Sequence, residues 1–237
     1  MTISTRPTLD RDLRRLQDDL LRMGSLVDAA IDRALKSLAA KDMHLARQIV
    51  SDDGQVNDIR FHLEDHCLTT IATQQPMASD LRMIVATIIL ASELERMGDY
   101  AAGIARTVLR MGDEPLLKPL VDLPRMGEIC RQMLRESLDA YVARDSALAR
   151  EVAARDDLLD DLYNQIFREV LAYILEDPHA TTRALFLLFS AHNLERIGDR
   201  VVNVAERVIF MNSGVLSELN AGPEAPIENA DLSDLPA

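Results

Sequence analysis

Aromatic residues and cysteines are scarce in this sequence. Aromatic side chains make up 4% of the 237 residues and tryptophan is absent, although 48% of the residues are hydrophobic. A chain of this length and composition can bury a proper core, which we expect to be aliphatic. The two cysteines, Cys67 and Cys130, lie far apart and outside any Cys-x-x-Cys motif. This spacing argues against a thiolate metal knuckle and against a disulfide framework.

Basic residues are outnumbered by acidic ones, and long apolar segments are also lacking. Asp and Glu number 39 against 26 Lys and Arg, which gives a formal net charge of −13. This charge opposes nucleic-acid binding, which generally uses basic patches. The longest apolar stretch, Met83–Ala91, is too short to span a bilayer, and the N-terminal stretch lacks the apolar region of a secretory signal. We therefore expect a soluble, cytoplasmic protein with no transmembrane segment and no nucleic-acid partner.

Apolar residues recur at intervals of three and four along most of the chain, which predicts amphipathic helices and no strands. The first two predicted helices meet at Asp42, a helix-capping residue, and the second stops at the proline-containing stretch Gln74–Pro76. The breaker-rich segment Gly112–Pro119 is a linker. Besides the second helix, the pattern predicts helices at about residues 9–40, 77–111, 120–143, 146–175 and 181–211.

The helices form two copies of one three-helix unit. Leu45–Arg47 matches Leu148–Arg150 at an offset of 103 residues, and Leu94–Asp99 matches Leu194–Asp199 at an offset of 100. Repeats of this kind bury their apolar faces on one another. We therefore predict an all-α fold of two tandem three-helix bundles with a pseudo-two-fold repeat. The predicted bundles cover residues 7–113 and 119–213.

The last segment differs in composition from the rest of the chain. Residues 214–237 contain five acids, three prolines and no basic residue. A segment without a sustained apolar period cannot bury enough surface to offset the entropy of ordering. We predict that this segment is a disordered acidic tail, and that Gly214 supplies the left-handed cap at the end of the last helix.

The two third helices share a polar motif, Leu-Glu-Arg-x-Gly-Asp, at residues 94–99 and 194–199. Packing alone requires only hydrophobicity and approximate size, so the repeated polar residues need another explanation. Each motif places a Glu and an Asp four residues apart, on the same face of the helix. On a helical wheel this face lies opposite the apolar one. We therefore predict that the acids face away from the core of their own bundle.

A second set of paired oxygen-bearing side chains lies on the helix before each motif. If the two helices lie side by side, the pairs would cluster and would need a cation. The candidate ligands are Asp53, Asn57, Glu95 and Asp99 in the first repeat and Asp156, Asp160, Glu195 and Asp199 in the second. Carboxylates and an amide suit hard ions such as magnesium, calcium, manganese or ferric iron. The competing interpretation is a solvated acidic face.

A glycine stands between the two acids of each motif, at Gly98 and Gly198. Glycine within a helix costs about 1 kcal/mol relative to alanine. The two glycines are therefore predicted to leave room for an ion cluster or for a closely packed helix.

Three histidines are weaker candidates for metal ligands. His62 and His66, and His192 one turn before Glu195, could supply nitrogen ligands, but we interpret all three as incidental.

The sequence leaves two classes of function open. A metal-binding regulatory or adaptor module would present outward acid stripes, whereas a carboxylate-metal enzyme, a hydrolase or an oxidase, would need inward-facing histidines and a closed pocket. The chain has no Gly-rich phosphate loop and no nucleophile elbow. The outward stripes favour a regulatory or adaptor module without turnover of its own.

The stretches QQPMASDLR, LERMGD and NLERIGDRVVNVAE, together with the paired acids, resemble the PhoU family of regulators of phosphate-specific transport. The resemblance covers about Leu9 to Met211. It implies a negative regulator of phosphate uptake and of the phosphate-starvation response. Such a regulator would couple the ATPase subunit of the Pst phosphate ABC transporter to a PhoR-type sensor histidine kinase of a two-component system by protein contact.

The same resemblance implies a homodimer, which would be cytoplasmic or peripheral at the inner face of the membrane. It also implies metal ions bound by the eight candidate ligands, with an iron cluster as the first expectation and zinc, magnesium or manganese as alternatives. Arg106 stands where the second repeat has Glu206, and Asn57 replaces a carboxylate. The first site therefore carries less negative charge, and we expect it to bind metal more weakly.

Overall fold

The computed structural model describes residues 6–216 and 218–219. This part of the chain is helical and contains no strand, which confirms the all-α class. A short 3-10 turn, Pro178–Ala180, separates the last two helices. The helices are α1 (Pro7–Ala40), α2 (Met43–Gln74), α3 (Ala78–Met111), α4 (Asp122–Ala143), α5 (Ser146–Ala153), α6 (Asp156–Glu176) and α7 (Thr181–Ser213).

The turn after the first helix of each repeat has the same construction in both bundles. Lys41 and Arg144 end α1 and α4 in the left-handed conformation, with φ of 55° and 53°. The next residue, Asp42 or Asp145, then caps the following helix. Its carboxylate accepts the backbone N–H three residues on, at 2.9 Å and 3.1 Å. Such a cap satisfies a backbone donor that would otherwise lack a partner, and it explains why the predicted boundary at Asp42 agrees with the structure.

One predicted helix is wrong, because residues 146–175 form two helices and not one. α5 ends at Ala153, and α6 starts at Asp156. Asp156 and Asp157 occupy the first turn of α6, where negative charge interacts favourably with the positive end of the helix dipole. Arg155 in the break pairs with Glu136 of α4 at 2.6 Å. The apolar spacing continues through the break, so periodicity alone does not reveal it.

Helices α1, α2 and α3 pack as the first bundle, and α4 to α7 form the second, in which α5 and α6 take the place of α2. The bundles join where α3 lies along α7 and α1 lies against α4. A single hydrophobic core runs through both, built from aliphatic side chains such as Leu20, Ile84, Leu134 and Val201. The structure thus confirms two tandem bundles. Within the described residues, no helix is sufficiently long and apolar to cross a membrane.

α7 ends at Ser213, and Gly214 caps it in the left-handed conformation, with φ of 75°. The Gly214 N–H donates to the Phe210 carbonyl at 2.8 Å. The chain then turns back, and Leu219 packs against the core. Of the predicted tail, residues 217 and 220–237 lie outside the described residues.

Candidate metal centres

The first acidic cluster forms where α2 packs against α3. Asp53 of α2 lies close to Asp99 and Glu95 of α3. Burial raises the pKa of Asp53, and both of these carboxylates raise it further. Asn57, one turn further along α2, is half-buried.

Arginine side chains partly neutralise this first cluster. Arg106 Nη2 lies 3.8 Å from Asp53 Oδ2, and Arg60 Nη1 lies 3.6 Å from Glu95 Oε1. Arg60 also donates to Glu64 at 2.9 Å. The first repeat therefore supplies two cations of its own to the acids that were predicted as metal ligands.

The second acidic cluster forms where α6 packs against α7. Burial raises the pKa of Asp160, and the Asp199 carboxylate adds to the shift. Burial likewise raises the pKa of Glu195, to about 7, again with a contribution from Asp199. Arg196 Nη1 donates to Asp199 Oδ2 at 2.7 Å. The cluster thus places Asp160 and Glu195 near Asp199.

Two features of the second cluster distinguish it from a solvated stripe. Asp156 is only 4% exposed, so its carboxylate is buried between the helices and is not solvated. Asp156 is the first residue of α6, and this end of α6 packs against α7. Glu195 Oε2 is buried and has no hydrogen-bond partner, although His192 Nδ1 lies 3.3 Å from it. A buried carboxylate oxygen without a partner is costly.

Gly98 and Gly198 make space for the acids of the preceding helix. A Cβ on Gly98 would lie 3.3 Å from Asp53 Oδ1, and a Cβ on Gly198 would lie 2.6 Å from Asp156 Oδ1. The second position is the tighter one, since the same Cβ would also approach Leu159 Cδ1 to 2.5 Å. Each glycine thus allows close helix packing with a carboxylate at the contact.

The donor chemistry of both clusters suits a hard cation, because the donors are carboxylate oxygens and, in the first cluster, one amide oxygen. In the part of the chain that the structure describes, no three His, Cys, Asp or Glu side chains converge as a metal site. The acids lie in neighbouring pairs, so a cation would have to draw their side chains together. In the second cluster, the buried Glu195 Oε2 atom is a donor without a hydrogen-bond partner. His62, in contrast, uses its Nδ1 on the Asp58 carbonyl of its own helix at 2.6 Å.

Comparison with known proteins identifies the family. The family model of the PhoU domain matches the chain twice, over residues 20–108 and 123–208. The chain belongs to the PhoU family. Each of the two bundles contains one PhoU domain match.

Curated PhoU relatives align with nearly the whole chain. It is 38% identical over 206 residues to a phosphate-specific transport system accessory protein PhoU homolog from Aquifex aeolicus, with 87% of this chain and 93% of the relative covered. The homolog of the same name from Clostridium acetobutylicum is 37% identical over 217 residues, with 91% and 99% covered.

Solved PhoU structures share the fold. The crystal structure of PhoU from Pseudomonas aeruginosa has a TM-score of 0.84 at 34% identity, and the match covers 88% of this chain and 100% of that one. The phosphate transport system regulatory protein PhoU from Streptococcus pneumoniae has a TM-score of 0.83 at 30% identity, with 89% and 99% covered.

In this PhoU chain an open polar cavity adjoins the second cluster. Its polar lining consists of Asp156, Asp199, Arg200, Asn203, Glu206 and Glu218. Of these, Glu206 is the residue that the sequence comparison of the repeats pairs with Arg106. Glu218 was assigned to the tail, and no local pattern shows that it returns to α7.

Arg200 and Asn203 of this PhoU chain also connect the two bundles. Both donate to Glu93 Oε2 of α3, at 3.4 Å and 3.2 Å. The pseudo-symmetric positions of the first repeat, Tyr100 and Gly103, cannot form such an ion pair. The cavity beside the second cluster therefore includes a link between the bundles that the first cluster lacks.

Proposed function

We propose that this chain is an accessory protein of phosphate-specific transport that works by contact and has no turnover of its own. The observation that carries the proposal is the match of both repeats to the PhoU domain, over nearly the full length of relatives that bear this description. In finer terms, we propose a negative regulator of phosphate uptake and of the phosphate-starvation response. It would couple the ATPase subunit of the Pst transporter to a PhoR-type sensor kinase.

Exposed apolar side chains at equivalent positions of the two repeats support a contact function. Leu68 of α2 is 61% exposed, and its counterpart Leu171 of α6 is 44% exposed. Val85 of α3 and its counterpart Leu185 of α7 are 36% and 37% exposed. Exposed apolar residues that gather on one surface are characteristic of protein interfaces. These positions lie toward the tips of the two helical hairpins and are candidates for contact with the transporter, the kinase or a second copy in a homodimer.

We further propose that the two acidic clusters bind metal ions, with iron as the first candidate and manganese, zinc or magnesium as alternatives. A bound cation would neutralise carboxylates that otherwise repel one another, and would hold the second and third helices of a repeat together. The second cluster is the stronger candidate, because it has four carboxylates where the first has three and an amide. Its ligands would be Asp156, Asp160, Glu195 and Asp199.

The enzyme alternative receives no support from the geometry of the clusters. A carboxylate-metal oxidase would place histidines among inward-facing acids. The histidine beside the second cluster, His192, is 53% exposed at its side chain. We therefore assign the clusters a structural or regulatory role.

Deletion of the gene tests the regulatory proposal. In phosphate-rich medium, a deletion strain should express phosphate-starvation genes, and a plasmid with the wild-type gene should restore repression. Two further plasmids test whether repression depends on the exposed apolar surface. One carries the double variant Leu171→Glu/Leu185→Glu. The other carries the control Glu114→Gln, in the exposed linker, and both are compared at equal protein level. We expect the first to fail in repression and the control to restore it. If deletion leaves the phosphate response unchanged, the regulatory proposal is wrong.

A further inference from the structure

The interface between the two bundles is nearly symmetric, because the bundles are copies of one unit. In a two-fold interface, a contact between two positions occurs a second time with the roles of the partners exchanged. Glu93 of α3, for example, contacts Asn203 of α7, and the equivalent contact joins Asn193 of α7 to Gly103 of α3. Two contacts of this interface bring together residues that differ in charge or in size between the repeats.

The first of these contacts, between α1 and α4, joins two residues that occupy the same position of the repeat. Asp28 and Arg131 are separated by the repeat offset of 103. Arg131 donates to the two carboxylate oxygens of Asp28 at 3.0 Å and 3.1 Å, and to Asp32 at 2.9 Å. Bidentate pairs of this kind are among the stronger hydrogen bonds. One repeat position is thus an acid in the first bundle and a base in the second, and the two bind each other.

Pairing of two identical bundles would place like charges at this contact. Two first bundles would bring Asp28 against a second Asp28 and against Asp32. Two second bundles would bring Arg131 against a second Arg131, and Glu128, 3.6 Å away on the same helix, would offset only part of the repulsion. Like charges across an interface oppose association with the wrong partner.

The second contact, between α3 and α7, differs in size as well as in charge. On one side of the interface, Glu93 accepts from Asn203 at 3.2 Å and lies 3.4 Å from Arg200. On the other side, Asn193 faces Gly103, where a Cβ would lie 2.6 Å from Asn193 Oδ1. A side chain at this repeat position is therefore used as a partner in α7 and has no space in α3.

Identical bundles would also fit poorly at this second contact. Two second bundles would set Asn193 against the side chain of Asn203, in space that only a glycine leaves open. Moving Asn193 aside would break its bond to the Phe189 carbonyl at 2.7 Å. Two first bundles would set Glu93, whose side chain is 12% exposed, against Gly103, so that this carboxylate would lose the cation and the amide that it contacts now. The loss of partners is costly for a largely buried charge.

Specificity for one partner can come from contacts that penalise the other partner. We propose that the α1–α4 and α3–α7 faces of each bundle fit the other bundle of the chain and reject a second copy of the same bundle. The opposite charges of Asp28 and Arg131 and the space at Gly103 decide the partner. Two chains therefore cannot associate by pairing first bundle with first and second with second. This selectivity depends neither on metal binding nor on the proposed regulatory role.

Charge reversal within one chain tests the α1–α4 contact. Arg131→Asp reproduces the contact between two first bundles, and Asp28→Arg reproduces the contact between two second bundles. Urea denaturation of the full chain should show that each single variant lowers the folding equilibrium constant by about tenfold or more. The combination of both changes restores opposite charges and should recover part of the loss. Arg125→Asp, at an exposed position of α4, is the control for net charge and helix propensity, and should lower the constant by about threefold at most.

An added side chain at Gly103 tests the α3–α7 contact. Gly103→Asn introduces the residue that the second repeat has at this position, and so reproduces the contact between two second bundles. It should lower the folding equilibrium constant by about tenfold. Gly54→Asn makes the same substitution in α2, where a Cβ would meet nothing within 4 Å, and should leave the constant nearly unchanged. Circular dichroism checks that every variant keeps the wild-type helix content.

Losses in both single charge reversals, recovery in their combination, and a loss in Gly103→Asn but not in Gly54→Asn support the proposal. The proposal is wrong if the combination is no more stable than the less stable single variant. It is also wrong if Arg131→Asp costs no more than Arg125→Asp, or if Gly103→Asn and Gly54→Asn have equal effects. Should a single charge reversal fail to fold, the combination must still fold for the proposal to hold.

Discussion

Gly24 in α1 and Leu138 in α4 form a contact between the bundles that leaves no room for a side chain on the glycine. A Cβ on Gly24 would lie 2.2 Å from Leu138 Cδ1. The reciprocal contact joins Gly127 of α4 to Leu35 of α1, where a Cβ would lie 2.0 Å from Leu35 Cδ1. Both residue pairs are related by the repeat offset of 103. The α1–α4 interface thus contains the same leucine–glycine contact twice, at two positions related by the pseudo-two-fold axis.

We expect Gly24→Ala and Gly127→Ala each to destabilise the protein. A new methyl group in a packed contact costs about 1–3 kcal/mol, and the gain in helix propensity of about 1 kcal/mol offsets only part of it. Gly54→Ala is the control, because its Cβ would meet nothing within 4 Å, and it should stabilise α2 by up to about 1 kcal/mol. Urea denaturation measures all three. Equal effects at Gly24 and Gly54 would mean that the contact tolerates a methyl group.

The two acidic clusters should differ in metal affinity. Glu195→Ala/Asp199→Ala should remove more bound metal from the purified protein than Glu95→Ala/Asp99→Ala does. The reason is that the first cluster has an amide in place of a carboxylate and Arg106 within 3.8 Å of Asp53. Elemental analysis of protein purified without added ions measures the difference. Equal losses from the two double variants would contradict this prediction.

The two thiols should be inert in the folded protein. Burial raises the pKa of Cys67 to about 12 and also raises the pKa of Cys130. The thiolate is the reactive form, and a pKa of about 12 leaves roughly one Cys67 in ten thousand ionised at pH 8. Ellman's reagent at pH 8 should detect no thiol before unfolding and two in guanidinium. A thiol that reacts in the native state as fast as free cysteine would show that one of the two sites opens.

The ion pair between Lys118 of the linker and Glu169 of α6 should stabilise the protein at neutral pH and lose this effect in acid. Its hydrogen bond from Lys118 lowers the pKa of Glu169. Because the folded-state pKa is the lower one, the contribution is complete above the unfolded value of about 4.3 and is lost as the pH falls through the folded value.

A double-mutant cycle with Lys118→Ala and Glu169→Gln measures this coupling. At pH 7 it should amount to at most about 1 kcal/mol, since Glu169 is partly exposed. At pH 3 it should be smaller, because more of Glu169 is protonated there. A coupling that stays constant between these two pH values would show that charge is not its source.

Truncation should separate residues 214–219, which return to the core, from the rest of the tail. Removal of residues 220–237 should leave the thermal midpoint within a degree or two, because their sequence has no apolar period with which to pack. Removal of residues 214–237 also deletes the packing of Leu219 and its bond to Glu206, and should lower the midpoint by a few degrees more. Scanning calorimetry compares the two with full length. A large drop for the shorter deletion would indicate that the tail docks on a bundle.

The sequence by itself determined the helical class, the two repeats and most helix ends, because each of these follows from local spacing. Apolar periodicity requires only neighbouring residues, and the caps at Asp42 and Gly214 act within one turn. The pairing of acids on adjacent helices was also predictable, since helices joined by a short turn pack antiparallel. The break before Asp156 was not, because the apolar spacing continues through it.

Only the tertiary structure decided the electrostatic environment of the acids. Whether Asp156 is buried, whether Arg106 reaches Asp53, and whether Glu218 returns to the second cluster depend on distances between residues up to 62 positions apart. A carboxylate has the same letter in the sequence whether it is solvated, paired or buried. Its charge state depends on the dielectric and on the partners around it, and these exist only once the helices have packed.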